Sequence, residues 1–432
     1  MNIKLQTNAK KISFITFGCK VNKYETQLIR EKFPPHLYKE VSHRKELADI
    51  YIINSCTVTN RSNQKVKKTI RSIKRQNNEA TIVITGCYAQ ELENNLEELK
   101  DIDFLINNEK KYQIKDILCG FNPATDYSNR SINSTVTDFA NQTRAFVKIQ
   151  DGCESFCSYC IIPYVRGKVK SKAPYMIIKE AEELISKGFK EIVLVGIHIG
   201  QYGKETNYKW NLNSLLLQLV KIKGNFRIRL SSLEANEINY DILDTIKNHN
   251  IVPHLHVPLQ SGDDEILKKM NRNYTSKKFL SIYELVEKKL DRPSITTDII
   301  VGFPGETEAN FLNTVLMCEK IPFSKAHIFP YSDRNNTAAS KMKKKIPNQI
   351  KKERSKKLSN IAKNNTQKYL KQFLFEEVEV LVEKQEKDGI LSGISDRYTR
   401  VYFNGKNNLI NQFTKIYVTK IGEGYLSGKI VF

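Results

Sequence analysis

Three closely spaced cysteines are the first feature of this sequence that could do chemistry. The segment DGCESFCSYCIIPYVRGK places Cys153, Cys157 and Cys160 within eight residues of one another. A structural zinc site takes four protein ligands, so three thiols fit zinc poorly unless His198 or His254 completes the site from a distance. An iron–sulfur cluster held by three thiolates leaves one iron without a protein ligand, and that iron can chelate a small molecule. The spacing therefore favours a cofactor-binding cluster.

A second set of three cysteines is scattered along the first part of the chain. Cys19, Cys56 and Cys87 occur in TFGCKVNKYET, INSCTVTN and ITGCYAQE, each just after a short apolar run that predicts a strand. The carboxyl ends of parallel strands lie on one edge of a sheet, so these residues can converge there. Any one of them alone would be read as an ordinary buried cysteine. Three at equivalent strand ends predict a shared site.

The elements that must position these cysteines indicate an α/β multidomain chain. In residues 10–121 the apolar runs ISFITF, DIYIIN, TIVIT and DFLI alternate with segments of helical length, which predicts a doubly wound parallel sheet. Residues 122–143 are polar and aperiodic, which is typical of a linker. Residues 144–366 contain six further strand–helix repeats, which predict an open (βα)6 partial TIM barrel with Cys153–Cys160 in its first loop.

The last part of the chain changes pattern. A basic segment from Pro347 to about Gln372 predicts a helix, and period-two segments follow. These segments predict a small five-stranded β-barrel of the OB type over residues 367–432, a kind of barrel that often binds oligonucleotides. Trp210, Tyr398 and Tyr402 could stack on bases, although core packing explains them equally well.

The net charge indicates the kind of partner, and the number of cysteines bears on what the thiols do. The chain of 432 residues carries 69 Lys and Arg against 47 Asp and Glu, a formal charge of +22, which indicates a polyanionic partner. Solvated helix faces and composition bias are the alternative explanation. The N-terminus lacks the apolar core of a signal peptide and no apolar run is long enough for a membrane span, so we expect a cytoplasmic protein. In that compartment eight cysteines favour metal or redox roles over disulfides, the minor alternative.

The motifs carry a family resemblance. Cys-x3-Cys-x2-Cys with Tyr159 before the last cysteine resembles the signature of the radical S-adenosylmethionine enzymes. With HLHVPLQSGDDEILKKMNRNY and DIIVGFPGET, the chain resembles the methylthiotransferases from end to end. The resemblance implies two 4Fe–4S clusters, one on Cys153, Cys157 and Cys160 that cleaves the cofactor and an auxiliary one on the earlier set, Cys19, Cys56 and Cys87. It also identifies the small barrel as a TRAM domain that binds RNA.

The resemblance further implies two S-adenosylmethionine molecules per turnover. One methylates a sulfur attached to the auxiliary cluster, and the other generates the radical that activates adenine C2. Six residues in or after strand-end loops are candidates to contact this cofactor, with loop packing as the alternative: Tyr159, Arg166, Gly196, Ser232, Glu234 and Gln260. Cys119 and Cys318 match neither set, and we interpret them as structural.

A glycine-rich loop and a pair of histidines are predicted to be structural rather than catalytic. The loop GFPGE, residues 302–306, lacks the Lys and Ser/Thr of a P-loop and is predicted to be a turn that shapes the pocket. His254 and His256 are predicted to be hydrogen-bonded structural residues, one facing inward and one outward.

The segment around Cys19 bears on the substrate. GCKVNKYET resembles the type that methylthiolates N6-threonylcarbamoyladenosine at position 37 of tRNA, although Lys23 stands where Gln is more usual and Ala235 where Pro is common. The implied partners are a tRNA anticodon stem-loop and a low-potential electron donor such as flavodoxin or ferredoxin. We expect a monomer that does not bind a membrane. Alternatives are isopentenyladenosine tRNA or a ribosomal protein as substrate. A rival of another class is a noncatalytic metal-dependent RNA-binding protein, which predicts zinc.

Overall fold

The computed structural model describes residues 9–92, 100–121, 132–139, 142–206, 210–387 and 389–431. They form two compact units. The first takes its described residues from the ranges 1–137, 151–154 and 160–172, and the second from 138–150, 155–159 and 173–432. Much of the predicted linker lies outside the described residues. Over the described part of the chain, the helices are too short or too polar to cross a membrane.

The first unit is built on a five-stranded sheet in which every pairing is parallel and the spatial order is β2-β1-β3-β4-β5. The strands are Lys10–Thr16 (β1), Tyr38–Glu40 (β2), Ile50–Ser55 (β3), Thr81–Gly86 (β4) and Phe104–Leu105 (β5). The helices are Lys20–Arg30 (α1), Asn60–Gln76 (α2), Cys87–Leu92 (α3) and Ile114–Leu118 (α4).

Burial explains why this sheet reads as apolar runs rather than as an alternating pattern. All six residues of β3 are buried, because both faces of the strand are covered. Ile53 packs on one face with Val66 and Ile70 of α2, whereas Ile52 packs on the other with Ile29 of α1. The predicted doubly wound sheet is therefore confirmed. Its edge strand β2 was not predicted, because its sequence YKE is polar and largely exposed.

Short elements flank the cysteine-rich segment of residues 153–160. They are the strands Gln150–Asp151 (β7) and Lys170–Ser171 (β8) and the helix Ile162–Arg166 (α5), and the strand Arg144–Lys148 (β6) precedes them.

The second unit contains the predicted six parallel strands. After β6 they are Glu191–Val195 (β9), Arg227–Leu230 (β10), His254–His256 (β11), Ser294–Val301 (β12) and Lys325–Pro330 (β13). They pair in the orders β10-β9-β6 and β11-β12-β13, and parallel bridges Ile228–Ile251 and Ser232–His256 join the two groups. This arrangement confirms the open partial barrel.

Helices connect these strands. Side-chain caps fix their starts: the Asn239 side chain accepts from the Ile242 N–H, and that of Thr275 accepts from the Lys278 N–H. The helices are Pro174–Ser186 (α6), Leu212–Leu219 (α7), Tyr240–Asn248 (α8), Asp264–Lys269 (α9), Ser276–Lys289 (α10), Glu308–Lys320 (α11) and the basic helix Asn348–Lys371 (α12). Short 3₁₀ helices lie at Lys111–Gln113, Ile199–Gln201, Ala235–Glu237, Ala338–Lys341 and Asn407–Leu409.

The C-terminal strands close into the predicted small barrel, in the order β14-β15-β16-β18-β17. They are Glu377–Gln385 (β14), Ile390–Ser395 (β15), Arg400–Asn404 (β16), Phe413–Ile421 (β17) and Tyr425–Ile430 (β18). Alternate residues such as Val380, Val401 and Val418 fill its core, which explains the period-two pattern.

Buried charges hold the small barrel against the amino-terminal edge of the parallel strands. Glu191, at the start of β9, accepts from Arg227 Nε at 2.7 Å and from Arg229 Nε at 2.8 Å. The same arginines donate to backbone carbonyls of the small barrel, Arg227 to Ile394 at 2.9 Å and Arg229 to Ser395 at 3.1 Å. The opposite edge, where the loops follow the strands, is the edge that carries chemistry in complete barrels.

Candidate active site

In the first unit the scattered cysteines follow three adjacent strands. Cys19 follows β1 and N-caps α1, Cys56 directly follows β3, and Cys87 follows β4 and begins α3. Because β1, β3 and β4 are neighbours in a parallel sheet, all three cysteines lie at the same edge. Cys56 and Cys87 are buried and Cys19 is exposed.

Glycines before two of these cysteines allow the backbone to approach closely. Gly18 has φ +103°, and a Cβ there would lie 2.6 Å from the Cβ and 2.9 Å from the Sγ of Cys56. Gly86 has φ +90°, and its Cβ would lie 2.4 Å from the Ser55 carbonyl oxygen. Only glycine fits both the conformation and the space. The loops that carry the cysteines can therefore pack closely against one another, because glycine has no side chain at these two contacts.

All eight cysteines lie in the described residues, and each is a free thiol, so the disulfide alternative receives no support. Burial raises the pKa of the Cys56 thiol, and it raises that of the Cys87 thiol to about 11, against the opposing charge of Arg166. A metal bound by these thiols would therefore have to displace their protons. Over the described residues, no three His, Cys, Asp or Glu side chains could share a single metal ion. A cluster makes a different demand, since each thiolate binds a different iron and the three need not meet at one ion.

Arg166 lies in this first unit, at the end of α5. Its side chain is 1% exposed, its Nε donates to Cys87 Sγ at 3.2 Å, and its Nη2 donates to Asn22 Oδ1 at 2.7 Å. Nη1 donates to Glu25 at 2.9 Å and to Asp151 at 3.0 Å. The partners of Arg166 in the structure are thus around the scattered cysteines, whereas the sequence suggested a contact with S-adenosylmethionine.

The first unit also holds two cysteines of the closely spaced set, Cys153 and Cys160, and the second unit holds Cys157. The Cys153 N–H donates to the Gly167 carbonyl at 3.1 Å. Cys160 directly precedes Ile161, which packs with Val165 against Cys87. The residues that follow Cys160 are therefore part of the surroundings of Cys87.

In the second unit Cys157 borders a polar cavity whose lining includes Ser155, His198, Glu234 and Arg272. Arg272 Nη1 donates to Cys157 Sγ at 3.2 Å, and Nη2 donates to the Glu234 carboxylate. The Arg272 side chain is 5% exposed. Sequence reasoning missed Arg272 as a site residue, although it lies in the KMNRNY part of a motif already noted.

The loop after β9 is fixed by a second set of contacts. The His198 ring lies with Nε2 2.6 Å from Glu237 Oε1 and Nδ1 3.2 Å from Ser155 Oγ, and its backbone N–H donates to Gln150 Oε1 at 2.8 Å. These contacts give His198 a structural role in orienting the loop, and they do not favour it as a zinc ligand.

Four other predicted cofactor contacts also follow strand ends. Gly196 follows β9, Ser232 and Glu234 follow β10, and Gln260 follows β11. Gln260 has φ +61°, and its backbone bonds to β12 on both sides, through the Asp298 carbonyl and the Ile300 N–H. Seven other described non-glycine residues also have a positive φ, so the conformation fixes the shape of this loop and does not by itself assign it a role. The remaining candidate, Tyr159, packs partly buried beside Phe303 and Tyr331.

In the GFPGE loop the carboxylate of Glu306 folds back onto the backbone of the loop itself. Glu306 accepts from the Gly302 N–H at 2.6 Å and from Arg354 Nη1 at 2.6 Å. A phosphate would have to displace this buried ion pair, so the geometry agrees with the interpretation of a turn.

The expectation that His254 and His256 face opposite sides is wrong. His254 Nε2 lies 3.2 Å and His256 Nδ1 2.9 Å from the same Thr296 Oγ1, because residues two apart on a strand share a face. Tyr398 stacks on His254 at 4.6 Å and under Arg229 at 4.9 Å, so it packs in the contact between the two barrels. Tyr402 packs edge-on against Tyr425. Of the two remaining cysteines, Cys318 is buried in α11 and Cys119 is exposed.

Three family models match consecutive parts of the chain. The model described as the Radical SAM superfamily matches residues 147–318, that of the Uncharacterized protein family UPF0004 matches residues 11–107, and that of the TRAM domain matches residues 371–431.

Full-length relatives agree with this order of domains. The chain is 35% identical to the Threonylcarbamoyladenosine tRNA methylthiotransferase MtaB of Bacillus subtilis, over 97% of this chain and 96% of that protein. It is 36% identical to the protein of the same name from Thermotoga maritima, over 96% and 95%. It is 33% identical to the tRNA-2-methylthio-N(6)-dimethylallyladenosine synthase of Fusobacterium nucleatum, over 98% and 100%.

A solved structure shares the fold. The radical S-adenosylmethionine methyltransferase TsrM from Kitasatospora setae, with cobalamin and a [4Fe-4S] cluster bound, superimposes with a TM-score of 0.59 at 11% identity, over 77% of each chain. The cysteine motif, the partial barrel and these matches define a radical S-adenosylmethionine enzyme. More narrowly, the chain belongs to the radical S-adenosylmethionine methylthiotransferase family.

Proposed function

We propose that the protein converts N6-threonylcarbamoyladenosine at position 37 of tRNA into its 2-methylthio derivative. The observation that carries the choice of substrate is the ranking of full-length relatives. Those named for threonylcarbamoyladenosine are 35%, 36%, 38% and 36% identical to this chain, and those named for dimethylallyladenosine 33%, 32%, 31% and 31%. The GCKVNKYET segment at Cys19 favours the same substrate.

The cysteines divide into two proposed clusters. Cys153, Cys157 and Cys160 hold the 4Fe–4S cluster that binds S-adenosylmethionine, and the auxiliary 4Fe–4S cluster is held by the other set, Cys19, Cys56 and Cys87. When bound, the first supplies the electron for cleavage of the sulfonium bond and the second holds the sulfur that is transferred. The close approach of Gly18 to Cys56 and the set of free thiols support this assignment.

The side chains around Cys157 prepare the cofactor site. Arg272 orients both the Cys157 sulfur and the Glu234 carboxylate. Fixed in this way, Glu234 is suited to accept hydrogen bonds from ribose hydroxyls or an amine of S-adenosylmethionine. We propose that Gly196, Ser232 and Gln260 complete the site from the neighbouring strand ends.

Basic helix faces support an RNA substrate. In α2 the exposed cations recur every three or four residues, and the helix contains no acidic residue. They are Arg61, Lys65, Lys68, Arg71 and Arg75. The opposite face, with Val66, Ile70 and Ile73, is buried, so the charged stripe is held outward. The basic helix α12 adds further positive surface in the second unit, which suits contact with phosphates.

Mass spectrometry of tRNA nucleosides from cells with and without the gene tests the proposed substrate. We expect 2-methylthio-N6-threonylcarbamoyladenosine to disappear on deletion and to return with the intact gene. If it persists while the 2-methylthio form of isopentenyladenosine disappears, the substrate is the isopentenyl nucleoside instead. If no methylthio nucleoside changes, tRNA is not the substrate, and a ribosomal protein becomes the target to examine.

Two cysteine variants test the division between the clusters. Cys157→Ala should abolish formation of 5′-deoxyadenosine, whereas Cys56→Ala should leave that cleavage and stop methylthiolation. Loss of cleavage in both variants would contradict separate roles for the two sets. Cys119→Ala is the matched control, because this exposed cysteine belongs to neither set.

A further inference from the structure

The surroundings of Cys87 include a buried charge network that the methylthiotransferase chemistry does not by itself require. Arg166 stands at its centre, in the first unit, and reaches residues more than a hundred positions away in sequence, such as Asn22 and Glu25. Six acceptor atoms surround its guanidinium, one each from Cys87 and Asn22 and two each from Asp151 and Glu25. A guanidinium has five N–H donors in a fixed fork. This set of acceptors can therefore use all of them.

The charges of this network are balanced. Lys111 Nζ lies 2.6 Å from Glu25 Oε1, with the two side chains 2% and 0% exposed. Arg166 and Lys111 thus face the carboxylates of Glu25 and Asp151, two cations against two anions. A buried charge is tolerated only when it is paired in this way. The pairing holds the guanidinium in place against the Cys87 sulfur.

Asn22 extends the influence of Arg166 to the other two cysteine loops. While its Oδ1 accepts from Arg166, its Nδ2 donates to the Phe17 carbonyl at 2.8 Å and to the Ser55 carbonyl at 2.9 Å. Phe17 lies two residues before Cys19, and Ser55 directly precedes Cys56. One arginine therefore contacts the third cysteine directly and fixes the loops of the first and second through one amide.

The same arginine is tied to the motif of closely spaced cysteines. It bonds to Asp151, two residues before Cys153, and the next residue, Gly167, accepts from the Cys153 N–H at 3.1 Å. Among the described residues, protein acceptors engage the whole guanidinium fork, so the contacts of Arg166 lie with the cysteine loops of the first unit.

We propose that Arg166 is a positioning residue for the auxiliary cluster, holding its three cysteine loops in register and raising its reduction potential through the hydrogen bond to the Cys87 sulfur. This inference rests on the cluster assignment proposed above. Hydrogen bonds to cluster sulfurs and nearby positive charge favour the reduced, more negative form, which is the physical reason for the direction of the shift.

The test uses the full chain with C153A, C157A and C160A, so that the auxiliary cluster alone is reconstituted. Iron and sulfide are counted per chain, and the midpoint potential is measured by a redox titration followed by electron paramagnetic resonance. R166Q removes the charge and the fork. We expect its midpoint potential to be more negative, or its cluster to be lost while circular dichroism shows a folded chain. R166K restores the charge alone, and we expect an intermediate potential.

Two further variants separate positioning from folding. R166Q removes the cation that faces Asp151, whereas Glu25 keeps Lys111, so R166Q combined with D151N removes the unbalanced carboxylate and keeps a neutral pair of similar size. If the fold recovers in the double variant, we expect its midpoint potential to remain more negative than that of the parent chain. R71Q, on the exposed face of α2 in the same unit, is the charge-matched control and should leave the potential unchanged.

An R166Q chain with full iron content, unchanged potential and an unchanged spectrum would overturn the proposal. Failure of the cluster assignment looks different. In that case C87A in the same background would keep its iron, whereas we expect it to lose the cluster. No tRNA is present in these measurements, so the outcome is independent of the proposed substrate.

Discussion

Arg272 Nη1 donates to the Sγ atom of Cys157 at 3.2 Å, although the two residues are 115 positions apart in the chain. The arginine also bonds to Glu234 and packs over the Tyr274 ring, 5.0 Å from its centre. Burial would lower the pKa of Arg272, but Tyr159, Tyr274 and Cys157 outweigh burial and raise it, so the side chain remains a cation. A fixed cation beside a proposed cluster ligand has a testable consequence.

Replacement of Arg272 should impair cleavage of S-adenosylmethionine. In R272Q the Cys157 sulfur loses its donor and Glu234 loses its orienting partner, so we expect the rate of 5′-deoxyadenosine formation to fall about 10- to 100-fold. The measurement is that rate in the reconstituted full chain with a chemical reductant. K268Q removes an exposed cation four residues earlier and serves as the control. Equal rates for the two variants would show that Arg272 has no role in the site.

The sequence predicted the elements of this fold better than it predicted the contacts among them. Strand-end cysteines were recognisable because a buried parallel strand is a continuous apolar run, and the small barrel was recognisable by its period of two. Arg166 and Glu25 meet across 141 positions, and no local pattern encodes such a meeting. Arg272 was missed for the same reason, because a cation in a polar loop resembles any solvated surface charge until the folded chain gives it a partner.

Gly18 should be required for the auxiliary site because its missing Cβ leaves space for Cys56. In G18A the new methyl carbon would lie 2.6 Å from Cys56 Cβ, and the backbone at φ +103° would cost roughly 1–2 kcal/mol in addition. We expect bound iron to fall about 10-fold or more in a chain that carries the auxiliary set alone. The measurement is iron per chain after anaerobic reconstitution.

Gly120 provides a matched control for this substitution. It has φ +81° in the same unit, but a Cβ there would meet no atom within 4 Å. G120A therefore carries the backbone cost without the contact with a cysteine. If G18A and G120A bind the same amount of iron, the space beside Cys56 is not what the auxiliary site requires.

Glu191 should contribute stability that depends on pH. Burial alone would raise the pKa of this carboxyl, but Arg229, Arg227 and Arg144 outweigh burial and lower it to about 2. In the unfolded chain a Glu titrates at about 4.3. Because the folded-state pKa is the lower of the two, the stabilisation is complete above about pH 5 and is lost as the pH falls towards 2.

E191Q tests this contribution in the full chain. Removing the charge leaves Arg227 and Arg229 buried without their carboxylate, so we expect the free energy of unfolding at pH 7 to drop by about 3–5 kcal/mol. The drop should shrink as the pH falls below 4, where the parent chain also loses the ion pairs. Urea unfolding across this range is the measurement. E377Q, which breaks an exposed pair with Lys415, should change the free energy by less than about 1 kcal/mol. A deficit for E191Q that stays constant with pH would contradict the assigned pKa.

The exposed face of α2 should contribute to RNA affinity through phosphate contacts. Lys65, Lys68 and Arg71 are exposed on one face of this helix, and cations that contact phosphates release counterions when RNA binds. Replacing all three with Gln should weaken binding of an anticodon stem-loop and reduce the slope of log affinity against log salt by about 2–3. The affinity is measured by fluorescence anisotropy at a series of salt concentrations.

The comparison that decides between phosphate contact and net charge uses a second helix. Lys277, Lys278 and Lys288 are exposed on α10, so their replacement by Gln removes the same total charge from the other unit. If only long-range attraction matters, both triple variants should weaken binding equally and leave similar slopes. If α2 contacts phosphates, the slope of log affinity against log salt should fall in the α2 variant. The α10 variant should keep the slope of the parent chain.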